Sequence, residues 1–160
     1  TLHRPSNVDN KAGLLKILAL LEYCSKYFQI IFPMHPRTKK NIDAFNLTNN
    51  FENLEHIIFT EPLDYFTFQK LIALSHGVIT DSGGIQEETT FIGVPCVTLR
   101  ENTERPVTIE LGTNELMDFD PPEVLAKLNH LSEKENKIPP LWDGSATERI
   151  AEKLNEIFSD

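Results

Sequence analysis

With 160 residues, of which 40% are hydrophobic, the chain has the size and apolar content of one domain with a real core, which excludes an intrinsically disordered segment. Twenty-four acidic against fifteen basic residues leave a formal net charge of −9, which excludes a non-specific nucleic-acid binder but not a protein that holds a small anion on backbone N–H groups. No apolar run approaches the roughly 18 residues of a membrane span, and the opening Thr1-Leu2-His3-Arg4 lacks the regions of a signal peptide, so the expectation is a soluble, cytoplasmic protein.

Thr1 to Pro5 reads as the exit of a strand whose earlier residues are not in the chain. A helix is expected over residues 12–26, because Leu14, Ile17, Leu18 and Leu21 fall on one helical face, with Ser6 or Asp9 as its cap. Gln29-Ile30-Ile31-Phe32, stopped by Pro33, has the β-branched and aromatic content of a strand buried on both faces. His56 to Phe59, Val78 to Thr80 and Cys96 to Leu99 repeat that signature, and helical patterns over residues 38–45, 66–75 and 85–91 separate them. Asp120-Pro121-Pro122-Glu123 carries an N-cap, a proline in the first turn and a glutamate at N3, which starts a helix running to about Leu131. Residues 133–143 read as a loop, and Ser145-Ala146-Thr147-Glu148 as the capping box of a last amphipathic helix bearing Ile150, Leu154 and Ile157.

Strands alternating with helices imply parallel pairing and right-handed crossovers, so the fold class is α/β: a Rossmann-like, doubly wound parallel sheet with helices on both faces, occupying residues 1–160 as a single domain. Cys24 falls in a helical pattern and Cys96 in an apolar strand. Neither has a second cysteine or a histidine at metal-ligand spacing, and both read as buried thiols.

In open α/β sheets a ligand lies outside the carboxyl ends of the strands. The polar clusters at those ends are His3-Arg4, His35-Pro36-Arg37, Asp81 to Gly84 and Arg100 to Arg105. The turn Ser82-Gly83-Gly84 has the clearest logic. Two residues without Cβ let the backbone approach an anion, and the helix that follows directs free N–H groups and its positive dipole end at it. Glu87 and Glu88, in the first turns of that helix, are acceptors suited to ribose hydroxyls. The local pattern alone favours an empty tight turn with an acidic first helical turn. The turn is neither a G-x-G-x-x-G fingerprint nor a Walker loop nor a nucleophile elbow, where a glycine would replace Thr80, so Ser82 reads as a binder.

Taken in order, Thr1-Leu2-His3-Arg4, His35-Pro36, Thr80 to Glu88, Gly93-Val94-Pro95, Thr103-Glu104-Arg105-Pro106 and Gly112-Thr113-Asn114 resemble the carboxyl-terminal half of the UDP-N-acetylglucosamine 2-epimerases over nearly the whole chain. The resemblance implies the second Rossmann-like domain of a two-domain GT-B enzyme. It implies that Ser82, Gly83 and Gly84 hold the diphosphate of a UDP-sugar, that Glu88 binds the ribose, that Phe68 packs on uracil and that Arg105 contacts the substrate. It places His3 near the leaving diphosphate as the catalytic imidazole, with Arg4, His35 and Arg37 as accessory or allosteric contacts. Without the resemblance, Phe68 reads more readily as a core aromatic and His3 as a merely hydrogen-bonded histidine, while Arg105 reads equally as a surface arginine and His35-Arg37 as an ordinary strand-end loop. After His3-Arg4 the chain reads Pro5-Ser6-Asn7 where many members have Arg-Glu-Asn, a departure that bears on the accessory contacts.

The implied reaction needs no metal or redox cofactor. It removes the proton at C2 of the sugar, expels UDP to leave an acetamidoglucal, and adds UDP back with a proton on the other face. Its carboxylates belong to an amino-terminal domain outside these residues, and the whole protein is expected to be a homodimer serving cell-surface polysaccharide synthesis. A hydrolysing 2-epimerase, a GT-B glycosyltransferase and a non-catalytic nucleotide-binding fragment remain alternatives at this point.

Overall fold

The computed structural model describes residues 1–133 and 137–158. In chain order the elements are α1 (Pro5–Val8), α2 (Lys11–Cys24), β1 (Ile30–Pro33), α3 (Pro36–Ala44), α4 (Thr48–Glu52), β2 (Ile57–Thr60), α5 (Tyr65–Leu74), β3 (Val78–Thr80), α6 (Gly83–Ile92), β4 (Cys96–Thr98), α7 (Val107–Glu110), β5 (Asn114–Leu116), α8 (Pro121–Leu131) and α9 (Ala146–Phe158). The four expected strands and the principal helices form within a residue or two of their sequence bounds.

All strand pairings are parallel, but the sheet is in two parts: β1 pairs with β2, and β3-β4-β5 form a second ladder. Between the parts lies Thr1 to His3. The Thr1 amine donates to the carbonyl of Ile79 in β3 at 3.1 Å, and Thr38 Oγ1 in α3 donates to the carbonyl of Leu2 at 2.6 Å. The spatial order is therefore β2-β1, then the first residues of the chain, then β3-β4-β5. This is the doubly wound order, with its reversal point at Thr1–His3.

One layer of helices contains α2 and α8, which pack on each other, and α8 covers β4; α5 and α6 pack together, and α6 covers β4 and β5. The core runs between these layers through Leu2, Val8, Leu14, Ile17, Leu20, Phe32, Val97, Leu99, Val124 and Leu128. Each fully buried aliphatic side chain contributes roughly 1.5–3 kcal/mol. On α2, Leu20 takes the buried position and Leu18 is only partly covered, a small rotation of the expected face.

Several local expectations are corrected. The cap of α2 is Asn10, whose side chain accepts from the Gly13 N–H at 2.8 Å; Ser6 falls inside α1 and Asp9 is engaged elsewhere. Ser145 does not close a capping box with Glu148, because its N–H goes to Asp143 Oδ1 at 3.0 Å, and Arg149 also clasps the Asp143 carboxylate at 2.9 and 3.0 Å. Asp120 does cap α8, accepting from the Glu123 N–H at 3.0 Å. Helix α9 is amphipathic as expected, yet it buries none of its residues: Ile150, Leu154 and Ile157 are exposed. Of the expected loop 133–143, residues 134–136 lie outside the described residues, and the others carry no helix or strand. Cys24 and Cys96 are free and buried, and desolvation pushes both thiols up to about 11.

Candidate functional site

The carboxyl ends of the strands converge on the start of α6. Thr80 ends β3, Asp81 and Ser82 form the turn, and Gly83 opens the helix. Thr80 Oγ1 accepts the Ser82 N–H at 3.1 Å, which bends the chain out of the strand. Ser82 is the N-cap in extended geometry, φ −85° and ψ 133°, and its side chain makes no capping bond. The first-turn N–H groups of α6 are thus left without the partner that an N-cap side chain ordinarily supplies. An anion is the other partner that fits there, and the helix dipole favours it.

The two glycines do different things. A Cβ on Gly83 would lie 2.7 Å from Arg105 Nη1 and 2.7 Å from Glu104 Oε1, so the missing side chain is what lets that ion pair lie against the helix start. A Cβ on Gly84 would meet nothing within 4 Å. Gly84 therefore faces open space, and the backbone there is accessible to a ligand.

Arg105 is drawn to the site by carboxylates on both sides. Its Nη1 donates to Glu104 Oε1 at 2.6 Å, and its Nε lies 2.8 Å from Glu87 Oε2 but off the N–H axis, an ion pair more than a hydrogen bond. The Glu104 carboxylate also accepts from Arg100 Nη2 at 2.9 Å, and its own backbone N–H, Arg100 and Arg105 hold it down to about 2. Behind this rim is a buried polar network. Gln86 Oε1 accepts from Thr103 Oγ1 at 2.7 Å and from Asn114 Nδ2 at 3.3 Å, and Thr98 Oγ1 donates to Asn114 Oδ1 at 2.6 Å. Gln86 and Asn114 are fully buried, and such a satisfied network is stiff. It ties the loop of Thr103 to Arg105 to the side of α6.

On the other side stands the start of the chain, held by Asp81. This carboxylate is fully buried and accepts from the backbone N–H of His3 at 3.0 Å, that of Arg4 at 2.9 Å and Asn7 Nδ2 at 3.0 Å. Arg4 Nε returns a bond to the Asp81 carbonyl at 3.2 Å. The imidazole of His3 lies 3.5 Å from Asp81 Oδ1 and stacks on His35, with ring centroids 4.8 Å apart. Desolvation lowers the His3 pKa despite the opposing pull of Asp81, so the ring is neutral at pH 7. It can then donate one N–H and accept at its other nitrogen.

His3, Arg4, Ser82, Gly83, Gly84 and Arg105 thus gather around the α6 N-terminus. Glu88 lies one turn into α6, four residues past the open Gly84 and therefore on its face of the helix, half-buried. Phe68 is placed differently: it is half-buried on α5 and lines an apolar cleft between β1 and β3. His35 caps α3 through Nδ1, which accepts the Arg37 N–H at 3.1 Å, and Arg37 is engaged by the Asp9 carboxylate, with Nε to Oδ1 at 2.7 Å. A polar cleft of about 500 Å³ continues the site past Arg4 and Asn7 to Lys16, Arg100 and Asp118. Asp81, Gln86 and Thr103, to which sequence reasoning gave no role, prove to be the residues that position the others. All three lie inside motifs already quoted, but their partners are distant in sequence.

Residues 1–155 match the family model described as UDP-N-acetylglucosamine 2-epimerase. The chain belongs to this family. A UDP-N-acetylglucosamine 2-epimerase of Methanococcus maripaludis is 46% identical over 163 aligned residues, covering 100% of this chain and 44% of that protein. One of Methanocaldococcus jannaschii is 43% identical over 157 residues, covering 96% of this chain and 43% of that protein. The crystal structure of the M. jannaschii UDP-GlcNAc 2-epimerase in complex with UDP-GlcNAc and UDP superposes with a TM-score of 0.86 at 39% identity, over 97% of this chain and 44% of that one. The chain therefore spans under half the length of the epimerases it matches. The fold is the Rossmann-like α/β half expected from the resemblance.

Proposed function

We propose that this chain, as a single domain, is the UDP-binding half of a UDP-N-acetylglucosamine 2-epimerase. The observation that carries the proposal is the uncapped start of α6, open at Gly84 and flanked by a paired arginine on one side and a neutral imidazole on the other. That a related structure is a complex with UDP-GlcNAc and UDP supports the choice of ligand.

In this reading the first N–H groups of α6 and the Ser82 hydroxyl bind the diphosphate, and Arg105 adds a charge-assisted contact when it turns from Glu104. Glu88 accepts from the ribose hydroxyls, and Phe68 meets the uracil ring. His3 faces the β-phosphate, where it donates a proton or hydrogen bond to the leaving oxygen as the bond to the sugar breaks. Arg4 supports the same phosphate, and His35 and Arg37 form an accessory contact beyond it.

The reaction we assign to the whole protein is inversion at C2 through elimination and re-addition of UDP. These residues stabilise and retain the leaving group, and carboxylates from elsewhere in the protein exchange the C2 proton. A homodimeric, cytoplasmic enzyme supplying a precursor of cell-surface polysaccharide is the setting that goes with this assignment.

Titration calorimetry of the 160-residue chain with UDP and with uridine tests it. UDP is expected to bind in the micromolar-to-millimolar range and uridine at least about tenfold more weakly, because the diphosphate carries the affinity. The chain alone is expected not to epimerise UDP-N-acetylglucosamine. Equal affinity for uridine and UDP would overturn the phosphate assignment, and turnover by the chain alone would overturn the division of labour.

A further inference from the structure

The Glu104 carboxylate stands where the site most attracts negative charge. Its Oε1 accepts from Arg105 Nη1 at 2.6 Å and lies 3.8 Å from Arg4 Nη2, and its Oε2 accepts from Arg100 Nη2 at 2.9 Å. The guanidinium groups of Arg4, Arg100 and Arg105 thus meet on one carboxylate. The same Oε1 lies 2.7 Å from the point that a Cβ on Gly83 would take, which puts it against the first residue of α6. That is the positive end of the helix dipole, where the N-cap side chain makes no bond.

Glu104 does not saturate this cluster. Glu87, the other acidic side chain of the rim, pairs with Arg105 at 2.8 Å, and the buried Asp81 carboxylate is committed to Asn7 and to the backbone N–H groups of His3 and Arg4. The buried Nη1 of Arg100 has no acceptor among the described residues, so donor capacity is left over. The Glu104 side chain is 51% exposed and Arg100 only 15%, so the carboxylate can leave for solvent while the guanidinium stays. The backbone need not follow. Thr103 Oγ1 donates to the buried Gln86 Oε1 at 2.7 Å and accepts the Arg105 N–H at 3.0 Å, which pins the loop on both sides of Glu104. Departure of the carboxylate is a rotation of one side chain.

We propose that Glu104 is a resident counter-ion, a carboxylate that holds the place of a phosphate in the empty site and is expelled by the ligand. Its expulsion hands Arg4, Arg100 and Arg105 to the incoming oxygens. A UDP-sugar has one negative charge on each of its two phosphates and offers these arginines more oxygens than a single carboxylate does. A monoanion only exchanges like for like. Glu104 is thereby a specificity-determining residue: it raises the threshold for occupying the helix start, so that a diphosphate enters and a lone carboxylate does not. It also offsets the mutual repulsion of the three arginines while the site is empty. The inference rests on the assignment of the α6 turn to a diphosphate, and adds to it the residue that the diphosphate displaces. A methyl group on Gly83 is a different perturbation, because it fills that space itself instead of clearing it.

A Glu104 that merely oriented the arginines for the ligand would have the opposite consequence, since its neutralisation would then weaken binding. Calorimetry with pyrophosphate, UDP and uridine on the 160-residue chain, on Glu104→Gln and on Glu104→Ala separates the two roles. Both variants are expected to bind pyrophosphate and UDP about fivefold or more tightly than the parent. Uridine affinity is expected to be unchanged, because the nucleoside has no phosphate to displace the carboxylate. In Glu104→Ala, acetate is expected to enter the vacated place and compete with pyrophosphate, whereas in the parent it should act no differently from chloride at equal ionic strength. Equal or weaker pyrophosphate binding by both variants, with binding by the parent intact, would overturn the inference and leave the diphosphate assignment standing. Absence of pyrophosphate and UDP binding in all three proteins would overturn that assignment and the inference with it.

Discussion

The Asp81 carboxylate accepts the backbone N–H of His3 at 3.0 and 3.1 Å, joining the turn before α6 to a segment 78 residues earlier in the chain. Arg4 and Asn7 donate to the same group, so one fully buried carboxylate sets where the imidazole and the Arg4 guanidinium stand relative to the helix start. Replacing it leaves three donors without their acceptor. Asp81→Ala is expected to cost about 2–4 kcal/mol in urea unfolding, with Asp81→Asn between it and the parent because the amide offers one oxygen and brings an unwanted donor. Unchanged stability in Asp81→Ala would show that the amino-terminal segment is held by packing alone.

Gly83 and Gly84 separate by what a methyl group would meet. Gly83→Ala pushes on the mobile ends of Arg105 and Glu104, which can yield, so the fold is kept while the ion pair is displaced. Gly84→Ala meets nothing in the protein and fills ligand space instead. Stability within about 1 kcal/mol of the parent is expected for both. UDP affinity is expected to fall about tenfold or more in both, which corresponds to roughly 1.4 kcal/mol. Calorimetry in which Gly84→Ala binds UDP as the parent does would mean that the open backbone there is not the anion site.

Arg105 and Glu88 are assigned to different parts of the ligand and should respond to different probes. Arg105→Lys keeps the charge but loses the planar fork, and is expected to weaken both UDP and pyrophosphate by roughly tenfold, a loss typical of a charge-assisted contact. Glu88→Gln is expected to weaken UDP several-fold and leave pyrophosphate unchanged, because only the nucleoside carries ribose hydroxyls. A parallel loss for both probes in Glu88→Gln would remove the ribose assignment.

Stability should rise with pH up to about 6.5 and then level off. The His3 imidazole is lowered from 6.5, chiefly by burial. It binds a proton more weakly folded than unfolded, so the unfolded chain holds more protons below that value and acidification favours it. The depressed carboxylates, Glu104 and Asp143 at about 2, act only at lower pH, where stability is lost as the pH falls through their folded values. Urea midpoints at pH 6 and pH 8 are the measurement, with the lower midpoint expected at pH 6. A midpoint higher at pH 6 than at pH 8 would contradict the assignment.

The long, strongly patterned elements were legible in sequence because local rules govern them. β1 to β4 announce themselves as β-branched runs bounded by proline, glycine or polar residues, and α8 by its aspartate cap and first-turn proline. α1, α4 and α7 have 4 or 5 residues, too few to display a helical period, and β5 has 3, which is below what alternation can reveal. The cap of α2 was missed because Ser6, Asp9 and Asn10 are all competent caps and packing chose among them. The site's polar turn was visible in Asp81 to Gly84, whereas the part Asp81 plays in holding His3, Arg4 and Asn7 was not, because those partners lie far away along the chain.

What the sequence determined by itself is everything that depends on neighbours along the chain: parallel α/β alternation, two buried thiols, and a glycine turn at a helix start. Resemblance in six short motifs added the family. Only the tertiary structure decided which of those polar residues share one space, because Asp81 reaches His3 across 78 residues and Thr103 reaches Gln86 across 17. It also decided that Gly83 is required by an ion pair while Gly84 is free, and that the sheet stands in two halves with an apolar slot between them. The physical reason is the same in each case: hydrogen-bond partners, steric room and burial are properties of spatial neighbours, and chain order does not carry them.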